Sequence, residues 1–307
     1  MIEKRENIMK KTYNDMTAAE CVKNQVKTYW KIMIIYICAL IFLSAIYIAE
    51  RIFISPLTYG NDAALELHSG LSRVFFYYYI VSAIFCAIIF SLIGVVKYIS
   101  FKEIYLAWGD PKKFIEAEKL VQKKIPFWRT DRRRKCTIAN AYLALGDYDN
   151  AWKYYEEIIP KNLSKCYNIY NMFGLACYYI AVDNHEEAAK YLARLEKVKA
   201  TAAKKRKNLS VMIDYLKCTF AIHDGKYEEA KELMNSNIDG SILANQITCY
   251  NLKAECYYNL AAIAYEKGDY IEAIVRYRAA VSSGGKLPIV DKAKKKLEEL
   301  DARIIKE

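Results

Sequence analysis

Residues 258–281 read YNLAAIAYEKGDYIEAIVRYRAAV. Small or apolar residues recur at Leu260, Ala261, Ala264 and Tyr265, the spacing of one helix face. Gly268-Asp269-Tyr270 then interrupts the pattern with a turn. A second helical run places Ala273, Ile274, Tyr277 and Ala280 on one face. Alanine at 261 and 273 lets the two helices approach closely, and Tyr270 is placed to fill the space beside the turn. A helical hairpin this short cannot bury its own apolar face, so stacked copies are expected.

The copies are present. Residues 141–160 supply Gly146, Asp147, Tyr148, Ala151, Tyr155 and Pro160, with Ala139 before them. A weaker copy has Leu175, Ala176, Asp183, Asn184, His185, Ala188 and Leu192. Another has Gly225, Lys226, Tyr227 and Ala230, with Met234 where the others carry an aromatic residue. Gly109-Asp110-Pro111, followed by Phe114 and Ala117, reads as the turn and second helix of a degenerate first copy. The pattern resembles the tetratricopeptide repeat over residues 97–281. The turns fall at 109, 146, 183, 225 and 268, spacings of 37, 37, 42 and 43 against a usual period of about 34. Longer helices or looser turns are therefore expected.

The resemblance implies an α-solenoid over residues 98–285, with a concave groove that takes an extended or helical protein segment. In this alignment the groove is lined by Cys136, Asn140, Leu143, Phe173, Cys177, Ile180, Tyr215, Thr219, Tyr258, Ala262 and Tyr265. Some members of the family clamp a carboxyl terminus with Lys and Asn in one copy and Lys and Arg in a later one. Here Cys136 and Asn140 hold the first pair of positions, and Met212 and Leu216 stand where basic residues would be. The groove reads as aromatic and apolar, suited to a hydrophobic or amphipathic segment.

The composition is 54% hydrophobic yet 26% charged, as expected for a membrane part joined to a soluble helical part. Residues 32–49, IMIIYICALIFLSAIYIA, contain no charge and reach about 27 Å as a helix, close to the bilayer core. Residues 52–54 extend the span if Arg51 snorkels. Residues 74–96 form a second uncharged run of about 34 Å. The expected organisation is a basic tail (1–31), span one (32–54), a short external loop (55–73), span two (74–97), the repeats (98–285) and a capping helix (286–307). The tail holds seven Lys or Arg and residues 97–135 hold twelve, whereas residues 50–73 hold two. Both termini are therefore expected in the cytoplasm, in an integral membrane protein of a bacterial cell membrane. Nothing breaks residues 95–108, so span two is expected to run on into the first repeat.

Arg132, Arg133, Arg134 and Lys135 form a basic cluster that suits anionic lipid headgroups, or a solvated helix start. The net charge of +11 is spread over the repeats and carries no nucleic-acid-binding motif, so nucleic acid is not expected. Chemistry is scarce. Nine cysteines include no CxxC, and His68, His185 and His223 lie far apart in sequence, two of them at repeat turns. No phosphate loop, dinucleotide fingerprint or hydrolase motif occurs. An all-α, non-enzymatic protein without metal or cofactor is expected, with protein or peptide partners and membrane lipids. It reads as a membrane-anchored scaffold or, alternatively, as an accessory subunit of a transport or secretion complex with the repeats as a docking arm.

Overall fold

The computed structural model describes residues 16–49, 52, 73–74, 76–85, 87–88, 102, 104–106, 109–124, 132–159, 168–201, 207–239 and 250–304. The chain divides into two compact units: residues 19–101, and residues 102–307 together with residues 1–18. Among the described residues there is no strand.

In the first unit, α1 spans Ala18–Ala49 without a break. It begins inside the stretch read as the basic tail and runs through the whole first apolar segment. Among the described residues it is the one helix long and apolar enough to cross a membrane. Many of its large apolar side chains face outward, Ile35 being 68% and Phe42 66% exposed, whereas Val22 near its start is buried. The second apolar run is described only as far as residue 88, and Phe76–Phe85 is helical there. Ser44 Oγ lies 3.2 Å from the Tyr79 hydroxyl. The Tyr47 ring lies 6.3 Å from Phe76 and 6.1 Å from Tyr79. The carboxyl end of α1 thus meets the amino end of the second run, as two antiparallel helices would. Residues 53–72 and 89–101 lie outside the described residues, and with them the expected external loop and the expected continuous joint.

The second unit is a stack of helical hairpins. Its helices are α2 (Pro111–Lys124), α3 (Arg132–Ala144), α4 (Tyr148–Glu156), α5 (Ile169–Ala181), α6 (His185–Thr201), α7 (Lys207–His223), α8 (Tyr227–Asp239), α9 (Tyr250–Glu266), α10 (Tyr270–Ser283) and α11 (Pro288–Ile304). Helices α3/α4, α5/α6, α7/α8 and α9/α10 pair as hairpins, and α3, α5 and α7 pack in succession. Four alanines at the close crossings, Ala151, Ala188, Ala230 and Ala273, are fully buried. Beside them Tyr155, Tyr277 and Met234 fill the interior, while in the third hairpin Tyr191 is buried in preference to its neighbour Leu192. The longer period is visible in α6, α7 and α9, each of 17 residues.

Each turn reverses through one residue in the left-handed region. These are Gly109, Gly146, Gly225 and Gly268, with φ between 57° and 79°, and Asp183 with φ 60°. Glycine suits this conformation because it has no Cβ to clash. The next residue usually caps the following helix. Asp110, Asp147, Asn184 and Asp269 each accept an N–H three residues on. In the fourth turn that position is Lys226, which has no acceptor to offer.

The ends of the stack meet. The Lys286 N–H donates to the Gly109 carbonyl at 3.1 Å, and Lys286 Nζ lies 2.9 Å from Asp110 Oδ2. A Cβ on Gly109 would stand 2.5 Å from the Gly284 carbonyl oxygen. The first turn is therefore seated on the segment after the fifth hairpin, and the arc of helices closes on itself. Beyond it, α11 buries Ala293 and Leu300 and turns Lys292, Lys294 and Lys295 to solvent, the polar outer face a terminal helix needs.

Candidate binding groove

Sequence alignment assigns Asn140, Leu143, Phe173, Cys177, Ile180, Tyr215, Thr219, Tyr258 and Tyr265 to one surface. All nine are half-buried. Contacts within and between neighbouring hairpins account for much of this. Asn140 is the most connected. Its main-chain carbonyl accepts from the Tyr105 hydroxyl at 3.0 Å, its side-chain oxygen accepts from the Tyr155 hydroxyl, and its amide points at Cys136 Sγ at 3.9 Å. Gly174 makes room for this network: a Cβ there would lie 2.6 Å from Asn140 Oδ1.

A second polar pair lies between the fourth and fifth hairpins, where the Tyr215 hydroxyl donates to Glu255 Oε2 at 2.5 Å. The Phe173 ring meets Tyr215 edge-on at 5.8 Å. Thr219 spends its hydroxyl on the Tyr215 carbonyl at 2.9 Å. Tyr258 packs against Tyr277 at 5.3 Å and Tyr265 against Tyr270 at 5.7 Å, the latter contact filling the fifth turn. Outside this surface, Trp152 stacks on Tyr178, Tyr178 meets Tyr179 edge-on and Tyr179 stacks on Tyr191, joining the second hairpin to the third.

Burial sets the chemistry here. It pushes the Cys177 thiol and the Tyr215 hydroxyl well above their usual ranges, with the Glu255 charge adding to both. It also raises the Glu255 carboxyl, against the opposing Tyr215 hydrogen bond and Lys292 charge. A raised thiol is a neutral thiol, the opposite of what a nucleophile needs. Met212 and Leu216, at the positions a carboxylate clamp would make basic, are buried in the core.

The basic cluster separates on inspection. Arg132 is exposed, Arg134 is half-buried, and Lys135 is paired with Glu157. The Arg133 side chain lies outside the described residues. Sequence distance hid one association entirely. His185 opens α6 and His223 closes α7, and stacking of the third and fourth turns brings their rings to 3.8 Å between centroids. The available signal was positional: each histidine sits two residues from the left-handed residue of its own turn.

Comparison with known proteins agrees with this geometry in part. No curated protein matches the chain. The tetratricopeptide repeat family model matches residues 133–159 and 254–283. The chain thus carries tetratricopeptide repeats at its second and fifth hairpins, the two whose turns read Gly-Asp-Tyr.

Proposed function

We propose that the protein is a membrane-anchored scaffold that holds a hydrophobic or amphipathic segment of a partner protein on the inner face of its repeat arc. The observation that carries this reading is the pair of repeat matches at residues 133–159 and 254–283, since such repeats serve as protein-interaction modules. The aromatic and aliphatic character of Phe173, Ile180, Tyr215, Tyr258 and Tyr265 supports an apolar occupant. A photo-crosslinking residue at Ile180 or Tyr258 of the full-length chain should trap one protein in cells, and the same residue at exposed Lys292 should not. Equal trapping at all three positions would remove the groove from the proposal.

The anchor in this reading is α1 together with residues 74–97, with both termini cytoplasmic. The outward-facing apolar side chains of α1 and of Phe76–Phe85 support it. A cysteine at Asn61 should be labelled from outside intact cells, and one at Lys306 should not; labelling at Lys306 would reverse the orientation. Arg132, with Arg133 and Arg134, adds attraction to anionic headgroups of about 1 kcal/mol per residue close to the surface. Lys135, spent on Glu157, adds less. A fluorophore at position 132 should be quenched by labelled lipid more in anionic than in zwitterionic bilayers, and equal quenching would discard this role.

A further inference from the structure

We propose that Asp183, His185 and His223 form a binding site for a divalent transition-metal ion of the zinc class, joining the third and fourth turns. One ligand atom from each lies within 4.8 Å of the other two. His185 Nε2 stands 3.0 Å from Asp183 Oδ1. Metal–nitrogen and metal–oxygen bonds of about 2.1 Å place neighbouring ligands about 3.0–3.4 Å apart, so this pair already has the spacing of two ligands on one ion. The His223 side chain is exposed, with its ring beside that of His185 at 3.8 Å between centroids.

The surroundings match the donor set. Asp224 Oδ1 lies 3.3 Å from His223 Nδ1. A carboxylate there fixes the Nδ1–H tautomer and leaves Nε2 with a free lone pair, as outer carboxylates do for metal-bound imidazoles. Lys226 holds that carboxylate in turn, at 3.2 Å. Asp183 adds an independent oddity. It is the one non-glycine residue with positive φ among the described residues, at a position where the other four turns use glycine. A carboxylate at a position where the other turns use glycine is accounted for if the carboxylate is used. Two imidazoles and one carboxylate favour zinc, cobalt or nickel over calcium or magnesium, which prefer oxygen ligands.

The test is cobalt(II) titration of the full-length chain in detergent, followed by visible d–d absorption. The nine cysteines are the competing ligands, and a thiolate charge-transfer band would betray them. The expected result is one equivalent bound without that band, displaced by zinc, with His223→Ala weakening it by about tenfold or more. Asp183→Gly separates site from fold. Glycine suits the turn, so this variant should be at least as stable as the parent without metal. It should bind cobalt more weakly and lose the rise in melting temperature that zinc gives the parent. Undiminished binding in the His185→Ala/His223→Ala double variant, a dominant thiolate band, or no cobalt uptake by the parent would each overturn the proposal.

Discussion

The second and fifth hairpins and the third and fourth are built on one backbone plan but different chemistry. In the regular pair the turn reads Gly-Asp-Tyr. Glycine takes the left-handed position, aspartate caps the next helix, and tyrosine follows. In the irregular pair, Asp183 occupies the left-handed position of one turn and Lys226 the capping position of the other. The helices still reverse at the same place and the crossing alanines are still buried. The fold therefore tolerates loss of local turn signals when the interior positions persist. The two departures put the charged side chains Asp183 and Lys226 in the turns, and His185 and His223 lie nearby in sequence.

The largest effect expected from this comparison concerns the interior. Tyr277 is buried in the fifth hairpin, and its counterpart in the third is the half-buried Leu192. Tyr277→Ala should cost about 3–5 kcal/mol, as other large aromatic truncations do. Leu192→Ala should cost clearly less. Chemical denaturation of the full-length chain measures both, and equal losses would mean that position 192 carries as much packing as position 277 and that burial does not separate the two hairpins.

Close crossings come next. Ala273 is fully buried where α9 and α10 meet. Ala273→Leu overpacks that contact at about 1–3 kcal/mol. Lys292→Leu, on the exposed face of α11, should change stability by no more than about 0.5 kcal/mol. Matching melting shifts for the two variants would contradict the packing.

How much of this was legible in sequence depended on the range of the signal. Five of the left-handed residues, 109, 146, 183, 225 and 268, mark the five turns read from sequence, because turn chemistry is local. The four buried alanines followed from helical spacing for the same reason. The nine residues that the alignment assigns to the groove are half-buried, a state that no sequence pattern specifies. It comes from contacts within and between neighbouring hairpins, such as Tyr258 on Tyr277 and Phe173 on Tyr215. Closure of the arc through Gly109 and Lys286, with Lys286 also reaching Asp110 across 176 positions of sequence, has no local signal either. The meeting of His185 with His223 was missed likewise, since it depends on how one turn stacks on the next. The helical pairing of Tyr47 with Tyr79 is consistent with the two apolar runs read from hydropathy, but no sequence pattern specified those partners.

The boundary between irregular and regular hairpins carries a pH dependence. Glu255, in the fifth hairpin, faces Tyr215 of the fourth. Burial raises its carboxyl above the ordinary value of 4.5. A folded-state value above the unfolded one means that protonation favours the fold. That contribution is complete below pH 4.5 and is lost as pH rises through the folded-state value. At neutral pH the native state therefore carries the cost of a charge that Glu255→Gln removes while keeping an acceptor for Tyr215. The variant should be more stable than the parent at pH 7, and the difference should shrink below pH 4.5. A difference that does not change with pH would assign the effect to packing.

The smallest effect is the most direct exchange between the two kinds of turn. Asp269 Oδ1 accepts the Glu272 N–H at 3.0 Å, satisfying one of the donors left open at the start of α10. Asp269→Ala should cost about 1 kcal/mol. Lys226 occupies the matching place before α8 and presents a cation to the positive end of the helix, where its ammonium pairs instead with Asp224 at 3.2 Å. Lys226→Asp supplies the missing acceptor and the favourable sign of charge, but it also breaks that pair and sets Asp224 near a like charge. An exposed pair contributes little. The cap and the helix end together contribute more. A small net gain is expected, rising when Asp224→Asn removes the repulsion. The two capping substitutions should thus move the denaturation midpoint of the full-length chain in opposite directions. If Lys226→Asp is destabilising even when combined with Asp224→Asn, the fourth turn does not use the capping geometry of the fifth, and the equivalence of the turns would extend to the backbone alone.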